Sequence, residues 1–217
     1  MNSPNKVVIY GDSDFAEQVK NQLDLDDRYK VVAFTVDESK FQKDIYNGLP
    51  VIKFQLLKYF YNKNEIKIFP AIGYSKLNSI RELVYKEIIN QDFEIFTYIS
   101  KNAIIGKNVN IGKGVYITEF VSIGTNVKIG NGVIFLPNSS IAHDVIIEDF
   151  VFCSHSVTIG GKAIVKHNSF IGLSTTIKDT IIIAENNIVG AACNVIKSTE
   201  PNSVYIGNPA VKIKNCI

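Results

Sequence analysis

Three histidines, His143, His155 and His167, are the side chains of this 217-residue sequence best suited to moving a proton near neutral pH. One of them has a carboxylate beside it, in the run Asn138-Ser139-Ser140-Ile141-Ala142-His143-Asp144. A histidine of ordinary pKa, about 6.5, is mostly a neutral base at pH 7. The three cysteines, Cys153, Cys193 and Cys216, have no CxxC spacing and read as reduced thiols, so a thiol nucleophile has little support. What the histidines can do depends on which other groups the chain brings to them.

An internal repeat sets that arrangement. Read in steps of six from Ile99, the positions Ile105, Ile111, Ile117, Ile123 and Ile129 begin an apolar file that continues unbroken to Val195. The following residue is often small, as at Gly106, Gly112, Gly124, Gly130, Gly160 and Gly172. Neither a helix of period 3.6 nor a strand of period 2 requires a six-residue repeat. A three-sided coil does, with six residues to a side and eighteen to a turn. The branched residue points inward on each side, and the small one is expected to let the backbone turn the corner. Coils about 4.8 Å apart give a prism roughly 27 Å long. The expectation for residues 99–217 is an all-β, left-handed parallel β-helix, capped by the segment from Val204 to Ala210.

Counted within an eighteen-residue turn, the histidines fall on three different sides, each two residues after an inward position. They cannot converge on one metal within a chain, so no metal is expected. Gly161 follows His143 by one full coil. A backbone N–H there, with no Cβ in the way, could approach the same reacting group as the histidine. Base and donor together suit acyl transfer from a thioester to an amine or alcohol.

Residues 1–98 read as an α/β domain, a small Rossmann-like parallel sheet. Strands are expected at 6–10, 30–36, 51–52 and 66–72, with helical spacing over 14–25 and 77–89 and a helical tendency over 54–61. Gly48-Leu49-Pro50 reads as a turn. Ligands on such a sheet sit at the carboxyl ends of its strands, here around Gly11, Asp37 and Gly73. The loop Gly11-Asp12-Ser13-Asp14-Phe15 has one glycine and is not the GxGxxG fingerprint, so a nicotinamide dehydrogenase is not expected. Its acids suit a helix start and oppose a pyrophosphate, which leaves capping and ligand contact both open.

Charged residues make up 20% of the chain and net charge is +2, with no run of one sign, so neither nucleic acid nor an anionic membrane is an expected partner. No apolar segment is long enough to span a bilayer, and polar residues open the chain without a signal-like stretch. A cytoplasmic protein is the expectation.

The whole chain resembles the bacterial sugar acetyltransferases that include bacillosamine N-acetyltransferase and the sialic-acid O-acetyltransferase group. Its order of α/β domain, hexapeptide repeats and Ile206-Gly207-Asn208-Pro209-Ala210 ending is similar to theirs. The resemblance implies acetyl-CoA as cosubstrate, with a nucleotide-linked amino sugar as acceptor. Ile141-Ala142-His143-Asp144 matches the segment carrying the family's base, which implies His143 as base and Asp144 as the acid orienting it. Gly161 matches the oxyanion donor. Phe152 stands where bacillosamine-type enzymes place a second histidine, and His155, Leu173 and Ala191 join it as expected coenzyme contacts. Gly11, Ser13, Asp14, Phe15, Asp37, Glu38 and Gly73 would line the sugar-nucleotide pocket, in a loop poorer in glycine than the family's. The implied assembly is a homotrimer with active sites between subunits. There His155 either enters a neighbour's site or is a solvated corner residue, and His167 reads as a surface residue. Sugar O-acetylation is the nearest alternative; a metal-dependent hydratase on a trimeric β-helix and a non-catalytic scaffold are more distant ones.

Overall fold

The computed structural model describes residues 4–216. The chain divides into two compact units, one comprising residues up to 73 together with 83–96, the other 74–82 together with 97 onward. The sequence placed a single boundary at 98. The segment 74–82 instead packs with the repeats.

In the first unit, β1 (Asn5–Tyr10), β2 (Tyr29–Val36), β4 (Leu49–Lys53), β5 (Ile66–Pro70) and β6 (Glu94–Ile95) form a parallel sheet, with the short β3 (Ile45–Tyr46) antiparallel at its edge. Strand order is β3-β4-β2-β1-β5-β6. The central strand β1 is a continuous buried run, Val7 to Tyr10, as a strand covered on both faces must be. Helix α1 (Asp14–Asp24) follows it and buries Ala16, Val19 and Leu23. Residues 54–60 wind as a 3-10 turn running into the one-turn α2 (Leu57–Phe60).

Three details differ from the sequence reading. The β3–β4 turn is made by Asn47 and Gly48, both at positive φ (47° and 76°), whereas Leu49 and Pro50 are already in the strand. An Asn-Gly pair suits a tight hairpin because both residues tolerate that backbone region. Helix α3 spans Ser79–Asn90 and starts two residues late, because Lys76, Leu77 and Asn78 are left-handed. Leu83, expected on its apolar stripe, is exposed.

The second unit is the coil that the repeat requires. Two-residue strands recur every six residues from Tyr98–Ile99 to Asn194–Val195 and pair in parallel with the strand one coil away, as in Tyr116↔Ile134 and Ser122↔Ser140. Three stacked sheets result, and this is the left-handed parallel β-helix. The inward file is buried from Ile117 to Val195, while Ile105 in the first coil is 36% exposed because that coil has a neighbour on one face only. A second buried file, missing from the sequence reading, runs through Val115, Val121, Val127, Val133, Val145, Val151 and Val157. Ser139, Ser169 and Thr175 interrupt it, with their hydroxyls hydrogen-bonded to backbone carbonyls.

The corner works differently from expectation. The small residue after the inward position answers a close approach between coils: a Cβ on Gly106 would lie 2.7 Å from the Gly124 carbonyl carbon. The turn itself is made two residues later. Every sixth residue from Asn108 to Ala192 is left-handed, with φ between 54° and 72°. After Val195 the segment Ser203–Ile206 adds to one sheet in parallel and then pairs antiparallel with Val211–Asn215, closing that end.

Left-handed backbone disfavours a residue with a Cβ, so Ala192 at φ 55° is strained where glycine would not be. Ala192→Gly should raise stability by about 0.5–1 kcal/mol in urea denaturation. A lowered midpoint would mean that this corner is not left-handed.

Candidate active site

His143 lies in the corner between the strands Ser140–Ile141 and Ile146–Ile147. Asp144 takes the left-handed position of that corner, φ 58°, which folds its side chain back beside the histidine. Two neighbours on a flat strand would face opposite ways. Here His143 Nδ1 is 2.7 Å from Asp144 Oδ2. An ionised carboxylate only accepts, so Nδ1 of the neutral ring donates and Nε2 keeps its lone pair. The Asp144 carboxyl is held below its usual range, first by the bond from His143 and next by one from Asn126, 3.1 Å from its other oxygen.

Nε2 points at the coil above. A Cβ on Gly161 would lie 2.8 Å from Nε2 and 2.9 Å from the adjacent ring carbon Cε1. The absence of a side chain is therefore what makes room for the ring. The coils are pinned here by Lys162 N–H donating to the His143 carbonyl at 3.0 Å. Gly161 N–H forms no hydrogen bond with the described residues. A basic nitrogen thus lies against a residue whose N–H is unengaged among the described residues, and acyl transfer needs a base and a hydrogen-bond donor.

The His143 side chain is 58% exposed. Two cavities lie elsewhere: one of about 890 Å³ lined by Lys58, Tyr59 and Asn62, and one of about 650 Å³ lined by Tyr74, Phe170 and Ile188. His155, Leu173 and Ala191 are exposed and stack coil on coil at a different corner, between the strands Phe152–Cys153 and Thr158–Ile159 and their successors. Phe152 belongs to a third arrangement. It is buried, stacks on Phe170 at 5.6 Å and is met edge-on by Tyr74. The chain's own His143 and Phe152 are thus not brought together.

His167 is not the free surface residue expected. Its Nε2 is 3.2 Å from Glu82 Oε2, and its ring meets Phe150 edge-on. The same segment buries Arg81, which donates to the Gly132 and Phe150 carbonyls at 3.0 and 2.8 Å, while Asn78 donates to the Asn168 carbonyl at 2.9 Å. Their partners lie 51–90 residues away in sequence, and no local pattern announces them.

In the first unit, Gly11, Asp37 and Gly73 follow the carboxyl ends of β1, β2 and β5. Gly11 needs its glycine, with φ 119° and the Ala71 carbonyl 3.0 Å from any Cβ. Ser13 is the helix N-cap but makes no side-chain cap bond, and Asp14 and Glu17 fill the first turn. Asp12 pairs with Lys43 at 3.3 Å, and Glu38 with Lys53 at 2.7 Å. Asp37 is held below the usual carboxylate range by hydrogen bonds from Ser39 and Gln55. Burial pushes the Glu87 carboxyl up, as does nearby Asp37.

Burial raises the pKa of all three thiols, most strongly at the fully buried Cys153. No three His, Cys, Asp or Glu side chains are grouped to hold a metal among the described residues. No described helix is long and apolar enough to cross a membrane.

Two family models match the chain: the PglD N-terminal domain over residues 6–88 and the bacterial transferase hexapeptide over residues 102–136. No curated protein sequence matches. Among solved structures, the chain is similar to the acetyltransferase domain of PglB from Neisseria gonorrhoeae in complex with acetyl coenzyme A, at 20% identity over 97% of this chain and 100% of that one, with a TM-score of 0.84. It is similar to a histidine-to-asparagine mutant of perosamine N-acetyltransferase from Caulobacter crescentus, in complex with CoA and GDP-perosamine, at 21% identity over 97% of each chain and TM-score 0.86. WeeI from Acinetobacter baumannii matches at 24% identity over 95% and 99%, TM-score 0.77. A match to a PglD-type domain leads into a match to transferase hexapeptides, and the fold is shared end to end with solved acetyltransferases.

Proposed function

We propose that this protein is an acyltransferase that moves an acetyl group from acetyl-CoA to the amine of a nucleotide-linked amino sugar, in one direct step with His143 as general base. The observation that carries the reading is the alignment of His143 Nε2 with Gly161 under the Nδ1–Asp144 bond. His143 Nε2 accepts the proton lost by the amine as its nitrogen bonds to the thioester carbon. Gly161 N–H donates to the carbonyl oxygen as negative charge gathers there, and Asp144 stabilises the imidazolium. His143 then returns the proton to the departing thiolate, so the base is regenerated and no enzyme thiol takes part.

Acetyl-CoA as donor and an amino sugar as acceptor are supported by the similar structures, which are complexes with acetyl coenzyme A and with CoA and GDP-perosamine. On this reading Gly11, Ser13, Asp14, Phe15, Asp37, Glu38 and Gly73 hold the nucleotide-sugar, in the cytoplasm. A homotrimer accounts for a base that is more than half exposed: the corner of His155, Leu173 and Ala191 on one protomer faces the His143 corner of the next, with the coenzyme between them. Leu173, 49% exposed, suits such cover. Phe152, being buried, would act only by supporting the wall.

The test is thiol release from acetyl-CoA with a panel of UDP-, dTDP- and GDP-linked amino sugars. Turnover should appear with an amino sugar and not with its hydroxy counterpart, and His143→Ala should lower it about 10²–10⁴-fold. Unchanged turnover in that variant removes His143 as the base. Gly161→Ala tests the donor position separately. Its methyl displaces the ring, so kcat should fall at least tenfold with little change in unfolding midpoint, since the displaced group is the end of a side chain. Wild-type kcat in Gly161→Ala would refute the close packing described here.

A further inference from the structure

We propose that Asn126 is a positioning residue for His143: its carboxamide, acting through Asp144, fixes which ring nitrogen of the histidine carries the proton. The proposal deepens the reading of His143 as base and rests on it.

Asn108, Asn126 and Asp144 occupy the left-handed position of the same corner in three successive coils, with φ of 57°, 60° and 58°. Asparagine and aspartate tolerate that conformation better than other residues with a Cβ. Stacking at the spacing of parallel strands then sets their short side chains in a row. Asn108 Nδ2 donates to Asn126 Oδ1 at 3.2 Å, and Asn126 Nδ2 donates to Asp144 Oδ1 at 3.1 Å. Asp144 Oδ2 is 2.7 Å from His143 Nδ1.

The row has a direction, set by the one group that cannot donate. A carboxylate accepts only, so Asn126 must turn its NH₂ toward Asp144 and its oxygen toward Asn108, which must in turn present NH₂. With Oδ1 occupied from below, Oδ2 is left facing the ring, and it is satisfied only when Nδ1 carries the hydrogen. Nε2 is then the bare nitrogen, and it is the one beside Gly161. Without Asn126, the half-exposed Asp144 side chain is free to rotate at an open corner, and the ring loses its fixed partner. The groups around Asp144 are His143, Asn126 and, one coil up, the cation Lys162, which favours the ionised form. Row formation alone does not make a device: Asn186 donates to Asn202 in the same manner at 2.9 Å but leads to no histidine. What separates the two is the carboxylate at the end.

Asn126→Gly removes the carboxamide and keeps the left-handed corner free of strain. With only three histidines in the sequence, histidine-selective ¹⁵N labelling can resolve the His143 ring. The wild-type spectrum should show the Nδ1–H form, and Asn126→Gly should show a mixture with Nε2–H. The variant's kcat should fall about two- to tenfold, the effect of one hydrogen bond, with both KM values within about twofold. In an Asp144→Asn background the same change should have no further effect on kcat. Asn126→Asp, of equal size but unable to donate when ionised, should lose more than Asn126→Gly. An Nε2–H spectrum in the wild type, or one that Asn126→Gly leaves unaltered, overturns the proposal whatever the kinetics. His143→Ala, run alongside, reports on the base itself: normal turnover there defeats the functional reading, whereas the spectra decide the role of Asn126 independently.

Discussion

Everything in the second unit depends on coils stacking without a break in phase. At the glycine corners the coils approach so closely that a Cβ on Gly112 would sit 2.6 Å from the Gly130 carbonyl oxygen, and one on Gly160 would sit 2.4 Å from the Asp179 nitrogen. Backbone N–H to carbonyl bonds at 2.7–3.1 Å, such as Gly124 to Ile141 and Lys128 to Val145, tie one coil to the next. Under that constraint a residue's neighbours are those eighteen positions away. His143 meets Gly161, and Asp144 meets Asn126, for the same reason that Tyr116 pairs with Ile134. The site is a property of the stacking and needs no special loop.

The first unit solves a different problem. Its sheet presents Gly11, Asp37 and Gly73 at the ends of three parallel strands, where open α/β sheets bind ligands. Acidic groups gather there: Asp12, Asp14 and Glu17 at α1, with Asp37, Glu38 and Glu87 nearby in sequence or space. Two of the acids are engaged by lysines, Asp12 by Lys43 and Glu38 by Lys53. Such a surface favours hydroxyl and amine donors over bare phosphate.

What was legible in the sequence was whatever the six-residue phase controls. The inward file, the three different corners of the histidines and the meeting of His143 with Gly161 follow from counting. The second buried file is masked in the sequence because Ser139, Ser169, Thr175 and Asn187 interrupt it, and the three hydroxyls and the Asn187 Nδ2 find backbone partners that only the fold supplies. The left-handed corner was hidden because Phe120, Phe150, Lys162 and Thr180 occupy it as well as asparagine and glycine. Conformation there is imposed by hydrogen bonds between coils, against local preference. The attachment of residues 74–82 to the repeats, through Arg81, Asn78 and Glu82, rests on long-range contacts to carbonyls and a histidine, and these leave no periodic trace. The Asn47-Gly48 hairpin, by contrast, is a local signal, since both residues tolerate the positive φ they adopt.

The unbroken register also limits how such a protein can change its length. Gain or loss of one residue between Ile99 and Val195 would rotate every later side chain out of the core. Gain or loss of six would restore the core while carrying all later groups onto the next face. Only whole turns of eighteen leave both the interior and the azimuth of His143 untouched, so length here is quantised. Even then the addresses differ in value. A turn inserted above Gly161 leaves the meeting of His143 with Gly161 intact. One inserted between Asn126 and Asp144 keeps the fold and parts the carboxylate from its amide partner. The architecture thus tolerates growth at its ends and resists it around the histidine.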